Sequence, residues 1–221
     1  MNAVIIFSKI PIPGTVKTRL IGSISAEEAA LLARYILLDL FEKLRCSKDY
    51  DVFIAYAPTG KLSILINDIP ENFGIFHQFG DNMGSRMYNA MEKLFSLNYD
   101  KVVLIGSDIP NINHNIINDS FKALEDNNIV LNPTFDGGYY LIGASDKRKI
   151  ETILKSGSIN WSTLSVFESS LEIIKENNWT VHVGETLPDI DNMEDLICFN
   201  NFDDLSIRTA DYIQKLKELS R

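Results

Sequence analysis

The order of apolar and amphipathic segments constrains the fold of this chain more than any other feature. Short apolar runs alternate with segments in which apolar residues recur at helical spacing. This order is typical of a mostly parallel sheet covered by helices. Strands are predicted at 2–8, 51–57, 74–79, 101–106, 128–132, 139–143 and 179–183. We therefore expect a single three-layer α/β/α domain over residues 1–221, with a mixed, mostly parallel sheet.

The clearest helix is predicted between residues 25 and 45. Ser25 and Glu28 have the spacing of a capping box, and the leucines that follow them form one apolar stripe. Further helices are predicted at 84–96, 113–126, 146–155, 162–177 and 203–219. In an open α/β sheet, ligands bind where loops leave the carboxyl ends of the strands. The loops after residues 7, 106 and 132 are therefore the expected places for chemistry.

The composition excludes several classes of protein. The formal net charge is −9, which argues against nucleic-acid binding, because that depends on clustered Lys and Arg. Residues 2–7 are apolar but too few for a signal peptide or a membrane span, so a cytoplasmic protein is expected. Cys46 and Cys198 lie far apart without a CxxC motif, so neither a zinc site nor a disulfide framework is predicted. The oligomeric state stays open.

A basic loop follows the first predicted strand, in the stretch FSKIPIPGTVKTRL (7–20). The GxxxxGK[ST] phosphate loop is not present, because its second glycine is missing. A loop stiffened by prolines, with one glycine, lets backbone amides approach an anion while the cations neutralise it. The alternative is that the cations are solvated and the prolines only shape the turn. The candidate phosphate-binding residues of this loop are Lys9, Pro13, Gly14, Lys17, Thr18 and Arg19.

The same stretch resembles the F-x-K-x-P-x-P-G-x-V-K-T-R-L signature of bacterial GT-A-type nucleotide-diphospho-sugar transferases. Members are glycosyltransferases of largely unknown function, and some are found beside radical-SAM genes. The resemblance continues through QFGDNMGSRM, GSDIP, NPTFDGGYYLIG, INWSTLSVF and LPDIDNMEDL, so it covers nearly the whole chain. One departure is Asn82, where the family usually has Asp. Either residue can cap the following helix, so a structural role is expected for Asn82.

Asp108 is predicted to be the first ligand of a divalent metal. It follows the strand 101–106, and a carboxylate there can hold Mg²⁺ or Mn²⁺ against phosphate oxygens. The resemblance implies the same role for Asp108. Ser107, next to it in the sequence, is a candidate substrate-binding residue. Many glycosyltransferases of this fold have Asp-x-Asp, whereas this chain has only Ser107-Asp108. The alternative is that Asp108 caps the turn at Pro110.

A second metal ligand is expected in LPDIDNMEDL (187–196), because one carboxylate binds Mg²⁺ poorly without another acid or phosphates. Asp189 and Asp191 alternate, so both point to one side if this segment is extended. Asp191 is the favoured ligand and Asp189 the second choice. The alternative is that Asp191 caps a helix beginning near Met193.

The segment DGGYY (136–140) is the candidate acceptor loop. Paired glycines remove side chains where a bulky ligand or another backbone must come close. Asp136 then orients an acceptor hydroxyl or acts as a general base, and related proteins carry the same residues. The alternative is a tight turn. The candidate substrate-binding residues of this loop are Gly137, Gly138 and Tyr139.

Two further candidates lie at predicted helix starts. Arg86 is one turn into a helix that opens at Gly84, where amides and a guanidinium can meet a phosphate; an ordinary surface arginine is the alternative. Trp161 either stacks on a sugar or base or fills the core. Ser162 beside it is a candidate N-cap.

Three functions are compatible with these residues. The first is a metal-dependent glycosyltransferase that joins a nucleotide diphospho-sugar to a small-molecule acceptor, with Lys17, Arg19 and Asp136 as catalytic residues. The second is a nucleotidyltransferase that uses an NTP and releases pyrophosphate, since VKTRL also resembles guanylyltransferases of the phospholactate type. The third is a non-catalytic nucleotide-sugar-binding protein. GxSxG and GxGxxG motifs are missing, which argues against a serine hydrolase and a dinucleotide-binding enzyme.

Overall fold

The structure is a computed structural model that describes residues 1–219; residues 220 and 221 of the predicted domain lie outside the described part. Strands predicted from the apolar runs form one continuous sheet. They are β1 (Asn2–Lys9), β2 (Asp51–Ala57), β3 (Gly74–His77), β4 (Lys101–Gly106), β5 (Ile129–Pro133), β6 (Tyr139–Ala144) and β7 (Val181–Val183). Each overlaps a predicted strand, so the interpretation of the apolar runs is confirmed.

The sheet is mixed and mostly parallel, as predicted. Its strand order is β3-β2-β1-β4-β6-β5-β7, and β6 runs antiparallel to both of its neighbours. The other pairs are parallel. The antiparallel pairing of β5 and β6 follows from the short connection between Pro133 and Tyr139, because parallel neighbours need a long crossover.

Helices cover both faces of this sheet. They are α1 (Ala26–Leu44), α2 (Met83–Ser96), α3 (His114–Asp126), α4 (Lys147–Leu154), α5 (Val166–Glu176), α6 (Met193–Cys198) and α7 (Ile207–Leu219). The capping box of Ser25 and Glu28 is confirmed at the start of α1. Asn82 caps α2: its side-chain oxygen accepts from the backbone nitrogen of Ser85, and its own backbone nitrogen donates to the Ser85 hydroxyl, so its predicted structural role is confirmed.

Two predicted helices begin later than their sequences indicate. The helix predicted from residue 203 starts at Ile207, and the other is α5. The segment 162–177 becomes helical only at Val166, because Ser162 has a left-handed backbone with a φ of 69°. Such a conformation is incompatible with a right-handed helix. The prediction that Ser162 caps this helix is therefore wrong, and Ser165 precedes its first turn.

The core lies in two layers, one on each face of the sheet. Along β1, Ala3 and Ile5 pack with α2, α4 and α5, while Val4 and Ile6 pack with α1 and α3. This division follows from the alternation of side chains along a strand. A third cluster joins Leu20, after β1, to α1, α6 and α7. It brings the segment before α6 next to the basic loop.

No helix within residues 1–219 combines the length and the apolar character that crossing a membrane requires.

Candidate active site

A cavity of about 540 Å³ opens at the carboxyl ends of β1, β2 and β4. The loop after β1, the start of α2, the turn between β5 and β6, and the segment before α5 all contribute to its lining. The three loops that the sequence singles out for chemistry therefore meet at one place. This is the edge of an open α/β sheet where ligands bind.

Lys17 connects three of the segments around this cavity. Its side chain is only 1% exposed, and its Nζ donates to Asp108 Oδ1 at 2.9 Å and to the backbone oxygen of Ile190 at 2.7 Å. The Lys17 backbone is left-handed, with a φ of 45°, which is rare for a residue with a side chain. The loop thus holds the ammonium inward, beneath the cavity, rather than toward solvent.

Asp108 faces the cavity and stays ionised. Its side chain is 58% exposed. The ammonium of Lys17, and more weakly that of Lys9, hold the pKa of the Asp108 carboxyl below its ordinary value in spite of desolvation. The side chain of Asp108 contacts Lys17 and not the turn at Pro110.

Asp191 lines the cavity and pairs with Arg19 of the basic loop. Arg19 Nη1 donates to Asp191 Oδ2 at 3.0 Å, and both side chains are partly exposed. The alternative role of Asp191 as a helix cap is wrong. Asn192 caps α6 instead, and Asp195 accepts from the backbone nitrogens of Asp191 and Asn192.

Asp189 does not line the cavity, whereas Asp191 does. Burial raises the pKa of Asp189 to about 6, and the carboxylates of Asp136 and Asp195 add to the shift. Of the two candidate ligands, only Asp191 lines the cavity, although the carboxylate of Asp189 interacts with those of Asp136 and Asp191.

Asp136 lines the cavity within a tight turn, so the turn predicted as the alternative is present. Its Oδ1 accepts from the backbone nitrogen of Gly138 at 3.0 Å and from the hydroxyl of Thr134. These bonds fix the orientation of the carboxylate. Gly138 and Tyr139 also line the cavity. Burial raises the pKa of the Tyr139 hydroxyl, which therefore stays protonated.

Gly137 is needed for the approach of another backbone. A Cβ atom at this position would lie 2.0 Å from the backbone oxygen of Leu164, and the φ of Gly137 is +81°. The backbone nitrogen of Phe167 donates to the oxygen of Gly137 at 2.9 Å. Paired glycines can make room for a ligand or for another backbone. At Gly137 the close neighbour is a backbone, and Gly137 does not itself line the cavity.

Trp161 lines the cavity and packs against the start of α2. A Cβ atom on Gly84 would lie 2.5 Å from the indole ring, so this contact requires glycine. Trp161 is also packed against the core cluster of α2, α4 and α5. Both suggested uses of this tryptophan, in the core and at the ligand, are compatible with its position.

The remaining cations face the cavity from two directions. Lys9 is exposed at the end of β1, and Arg86 donates from Nε to the backbone oxygen of Gly80 at 2.9 Å. Pro13 and Gly14 lie outside the lining. They form a tight turn in which the φ of Gly14 is +80° and Thr15 donates to the oxygen of Ile12 at 3.0 Å. Further lining residues on the basic-loop side are Ser107, Thr18 and Arg19.

Gln78 is a lining residue that the sequence gives no separate reason to select. Its Nε2 donates to the backbone oxygens of Ser8 and Ala55, at 3.1 and 2.8 Å. The amide therefore ties β1 to β2 beside the cavity. Its only sequence signal is its place at the start of the QFGDNMGSRM stretch.

The cavity is richer in positive charge than the chain as a whole. Its lining includes four cations, Lys9, Lys17, Arg19 and Arg86, and three carboxylates, those of Asp108, Asp136 and Asp191. The chain carries a net charge of −9. Cations are thus concentrated at the one place where the loops converge, which favours an anionic ligand.

The architecture defines the class of protein: an α/β domain of the nucleotide-diphospho-sugar transferase type. Residues 40–163, more than half of the chain, match the model of a family described as "Uncharacterized protein conserved in bacteria (DUF2064)". The chain belongs to this family. A search of curated proteins found no match.

Solved structures share the fold. A "putative nucleotide-diphospho-sugar transferase" from Desulfovibrio desulfuricans G20 has 28% identity and a TM-score of 0.89, over 100% of this chain and 96% of that chain. The 4-diphosphocytidyl-2C-methyl-D-erythritol synthase from Anaerococcus prevotii has 13% identity and a TM-score of 0.58, over 88% of this chain and 94% of that chain. The CMP:2-keto-3-deoxy-manno-octonic acid synthetase complexed with CTP has 11% identity and a TM-score of 0.56, over 86% of this chain and 93% of that chain.

These likenesses confirm the predicted fold class. The two synthetases are less than 25% identical to the chain, so they support the fold alone. The predicted enzyme class, a transferase, is the class of the Desulfovibrio protein by its name. A link to radical-SAM genes stays a prediction.

Proposed function

We propose that this chain is a divalent-metal-dependent glycosyltransferase that uses a nucleotide diphospho-sugar donor and a small-molecule acceptor with a hydroxyl group. The observation that carries the proposal is the contact of Lys17 with Asp108 and with Ile190, the residue before Asp191. This contact gathers the basic loop and two acidic segments around one cavity. A diphosphate and a divalent cation both require such an arrangement.

The cations have a direct use in glycosyl transfer. When the glycosidic bond breaks, negative charge develops on the departing nucleoside diphosphate. Lys9 and Arg19, at the exposed side of the basic loop, would bind the diphosphate oxygens, while Lys17 holds Asp108 in place beneath them. Charges positioned before the reaction stabilise the transition state without reorganisation.

The acids fit a metal that shares its coordination with the substrate. Among residues 1–219, no three Asp, Glu, His or Cys side chains are grouped so that they could hold a metal ion by themselves. Asp108 and Asp191 each contact a cation through one oxygen, and carboxylate oxygens are the ligands that Mg²⁺ and Mn²⁺ prefer. These two residues would hold the ion together with diphosphate oxygens. Bound there, the ion would neutralise charge on the leaving diphosphate.

Asp136 has the position of the acceptor residue. Its carboxylate lines the cavity on a different segment from the cations and is held in one orientation by Thr134 and Gly138. A fixed carboxylate can take the proton of the acceptor hydroxyl as that oxygen attacks the anomeric carbon. Its contacts within the turn orient it for this role.

The proposal is tested by identifying the product that leaves the donor. Purified chain is incubated with a panel of nucleotide sugars and NTPs, with Mn²⁺, Mg²⁺ or EDTA. Release of a nucleoside diphosphate that EDTA abolishes is the expected result. Pyrophosphate release from an NTP would instead identify a nucleotidyltransferase. Binding of a nucleotide sugar without any turnover would identify a non-catalytic binding protein.

A matched pair of variants makes this test specific. Asp108→Asn should lower turnover about 10²–10³-fold, the usual effect of losing one positioned charge. Asp119→Asn, at an exposed position of α3 outside the cavity lining, is the control and should retain full turnover. Equal activity of the two variants would contradict the proposed site.

A further inference from the structure

The cavity wall formed by the β5–β6 turn and the segment before α5 differs from the wall formed by the basic loop. Its lining is aromatic and apolar at Tyr139, Trp161 and Val166 and carries the hydroxyl groups of Ser162 and Thr163. The one charged lining residue of residues 136–140 and 161–166 is Asp136. A molecule held against this wall therefore meets aromatic rings, hydroxyl groups and one negative charge.

The four cations of the lining lie on other elements, where three of them have protein partners, while Lys9 is exposed at the end of β1. Lys17 and Arg19 pair with Asp108 and Asp191, and Arg86 is held on the β3 side by Gly80. A phosphate or carboxylate on the acceptor would face Asp136 without a cation from its own wall. Asp136 is exposed, and its carboxylate repels a nearby anion, so this wall disfavours an anionic acceptor.

Two large apolar side chains are exposed to solvent at the edge of the same wall. Phe135 is 75% exposed and Leu164 is 78% exposed. Each is the chain neighbour of a lining residue, Asp136 or Thr163, and their loops touch where Leu164 approaches Gly137. Single exposed apolar residues are common, whereas a pair on two touching loops beside a cavity marks a binding surface.

We infer that the acceptor is an uncharged hydroxyl compound with an apolar or aromatic group, which packs on Phe135 and Leu164 while its hydroxyl faces Asp136. The inference rests on the proposed glycosyl transfer and names the acceptor class. The occupant follows from the wall itself: its rings and apolar edge match an apolar group, its carboxylate disfavours an anion, and the same carboxylate can accept from the acceptor hydroxyl.

Binding of three probes tests the acceptor class. The full chain, with Mn²⁺ and UDP or GDP, is titrated calorimetrically with 4-nitrophenyl glucoside, methyl glucoside and glucose 6-phosphate. The nitrophenyl compound should bind at least tenfold tighter than the methyl compound, and the phosphate should bind most weakly. Equal affinity of the two neutral probes, including binding of neither, would overturn the inference. Tightest binding of the phosphate would also overturn it.

A double variant locates the apolar contact. Phe135→Ser with Leu164→Ser should weaken binding of the nitrophenyl probe about tenfold and leave the methyl probe unchanged. Ile207→Ser is the matched control, because Ile207 is 80% exposed on α7. If the double variant binds the nitrophenyl probe normally, Phe135 and Leu164 do not form the apolar contact, and the inference is wrong. If the wild type is a dimer that this variant dissociates, the pair is a contact between copies, and the inference fails.

Failure of the inference is separable from failure of the proposed function. A glycosyltransferase releases some nucleoside diphosphate to water in the absence of an acceptor. Such release without any preference for the nitrophenyl probe would reject the acceptor class and leave glycosyl transfer standing. Absence of release from every donor would reject the function itself.

Discussion

Lys17 and Asp39 are both charged, both buried and both hydrogen-bonded, yet they belong to regions with different tasks. Asp39, on α1, accepts from the backbone nitrogen and the hydroxyl of Ser206, at 3.1 and 2.6 Å, and lies 3.5 Å from Arg208. All of these partners belong to one segment, the start of α7. Asp39 therefore anchors that helix on α1.

Lys17 differs because its partners come from two separate loops, and one of them, Asp108, remains exposed to the cavity. Removing Asp39 leaves two partly buried donors of Ser206 without this acceptor, whereas removing Lys17 leaves the buried oxygen of Ile190 without its donor and Asp108 exposed to the cavity. Asp39 and its partners line a separate cavity of about 460 Å³. Lys17 bears on the candidate active site because its partner Asp108 faces the cavity where the predicted loops converge.

Lys17→Met should lower turnover about 10²–10³-fold, because Asp108 loses the group that orients it and offsets its charge. The free energy of unfolding should fall by about 2 kcal/mol, because the buried backbone oxygen of Ile190 loses its donor while the carboxylate of Asp108 stays solvated. Steady-state kinetics and urea unfolding measure the two effects. A large loss of stability with normal turnover of the folded protein would reverse the comparison.

Asp39→Ala should show the opposite pattern. Loss of two hydrogen bonds to a buried carboxylate should lower the free energy of unfolding by about 3 kcal/mol, with turnover of the folded protein unchanged. Asp39→Asn retains an acceptor oxygen and should lose less. Denaturant titrations and assays below the unfolding transition test this. A loss of turnover as large as that of Lys17→Met would mean that α7 also shapes the cavity.

Gly137→Ala and Gly14→Ala compare a glycine of the β5–β6 turn with a glycine of the turn in the basic loop. Both have a positive φ, but a Cβ at Gly137 would lie 2.0 Å from the backbone oxygen of Leu164, whereas one at Gly14 meets nothing within 4 Å. We expect losses of about 2 and about 1 kcal/mol, respectively. Gly137→Ala should also raise the acceptor KM. Equal thermal unfolding of the two variants would show that the Leu164 loop moves freely.

Asn82→Ala and Ser25→Ala should have the smallest effects. Each removes the capping box of one helix, α2 beside the cavity or α1 away from it. The expected loss is about 1 kcal/mol for each. Only Asn82→Ala should alter donor KM, because α2 carries Arg86. Circular dichroism melts and donor titrations check both; identical KM values would show that the cap of α2 does not influence the site.

The fold could be predicted because its signals are local. A capping box joins Ser25 to Glu28, three residues apart, and strands such as β4 are continuous apolar runs. The late start of α5 was not predictable from its apolar spacing, because it depends on the left-handed backbone of Ser162. The helix α6 was expected only as an alternative to a metal role for Asp191. Its cap is Asn192, and the metal role of Asp191 stays a prediction.

By itself, the sequence determined the alternation of strands and helices, the helix caps and the gathering of chemical groups into a few loops, because each depends on residues close along the chain. The tertiary structure decided which of those groups meet. Lys17 reaches Asp108 across 91 positions of sequence, and Arg19 reaches Asp191 across 172. It also left Asp189 outside the cavity lining and set Leu164 against Gly137. Such pairs depend on distances of about 3 Å that only the packing of distant segments can set.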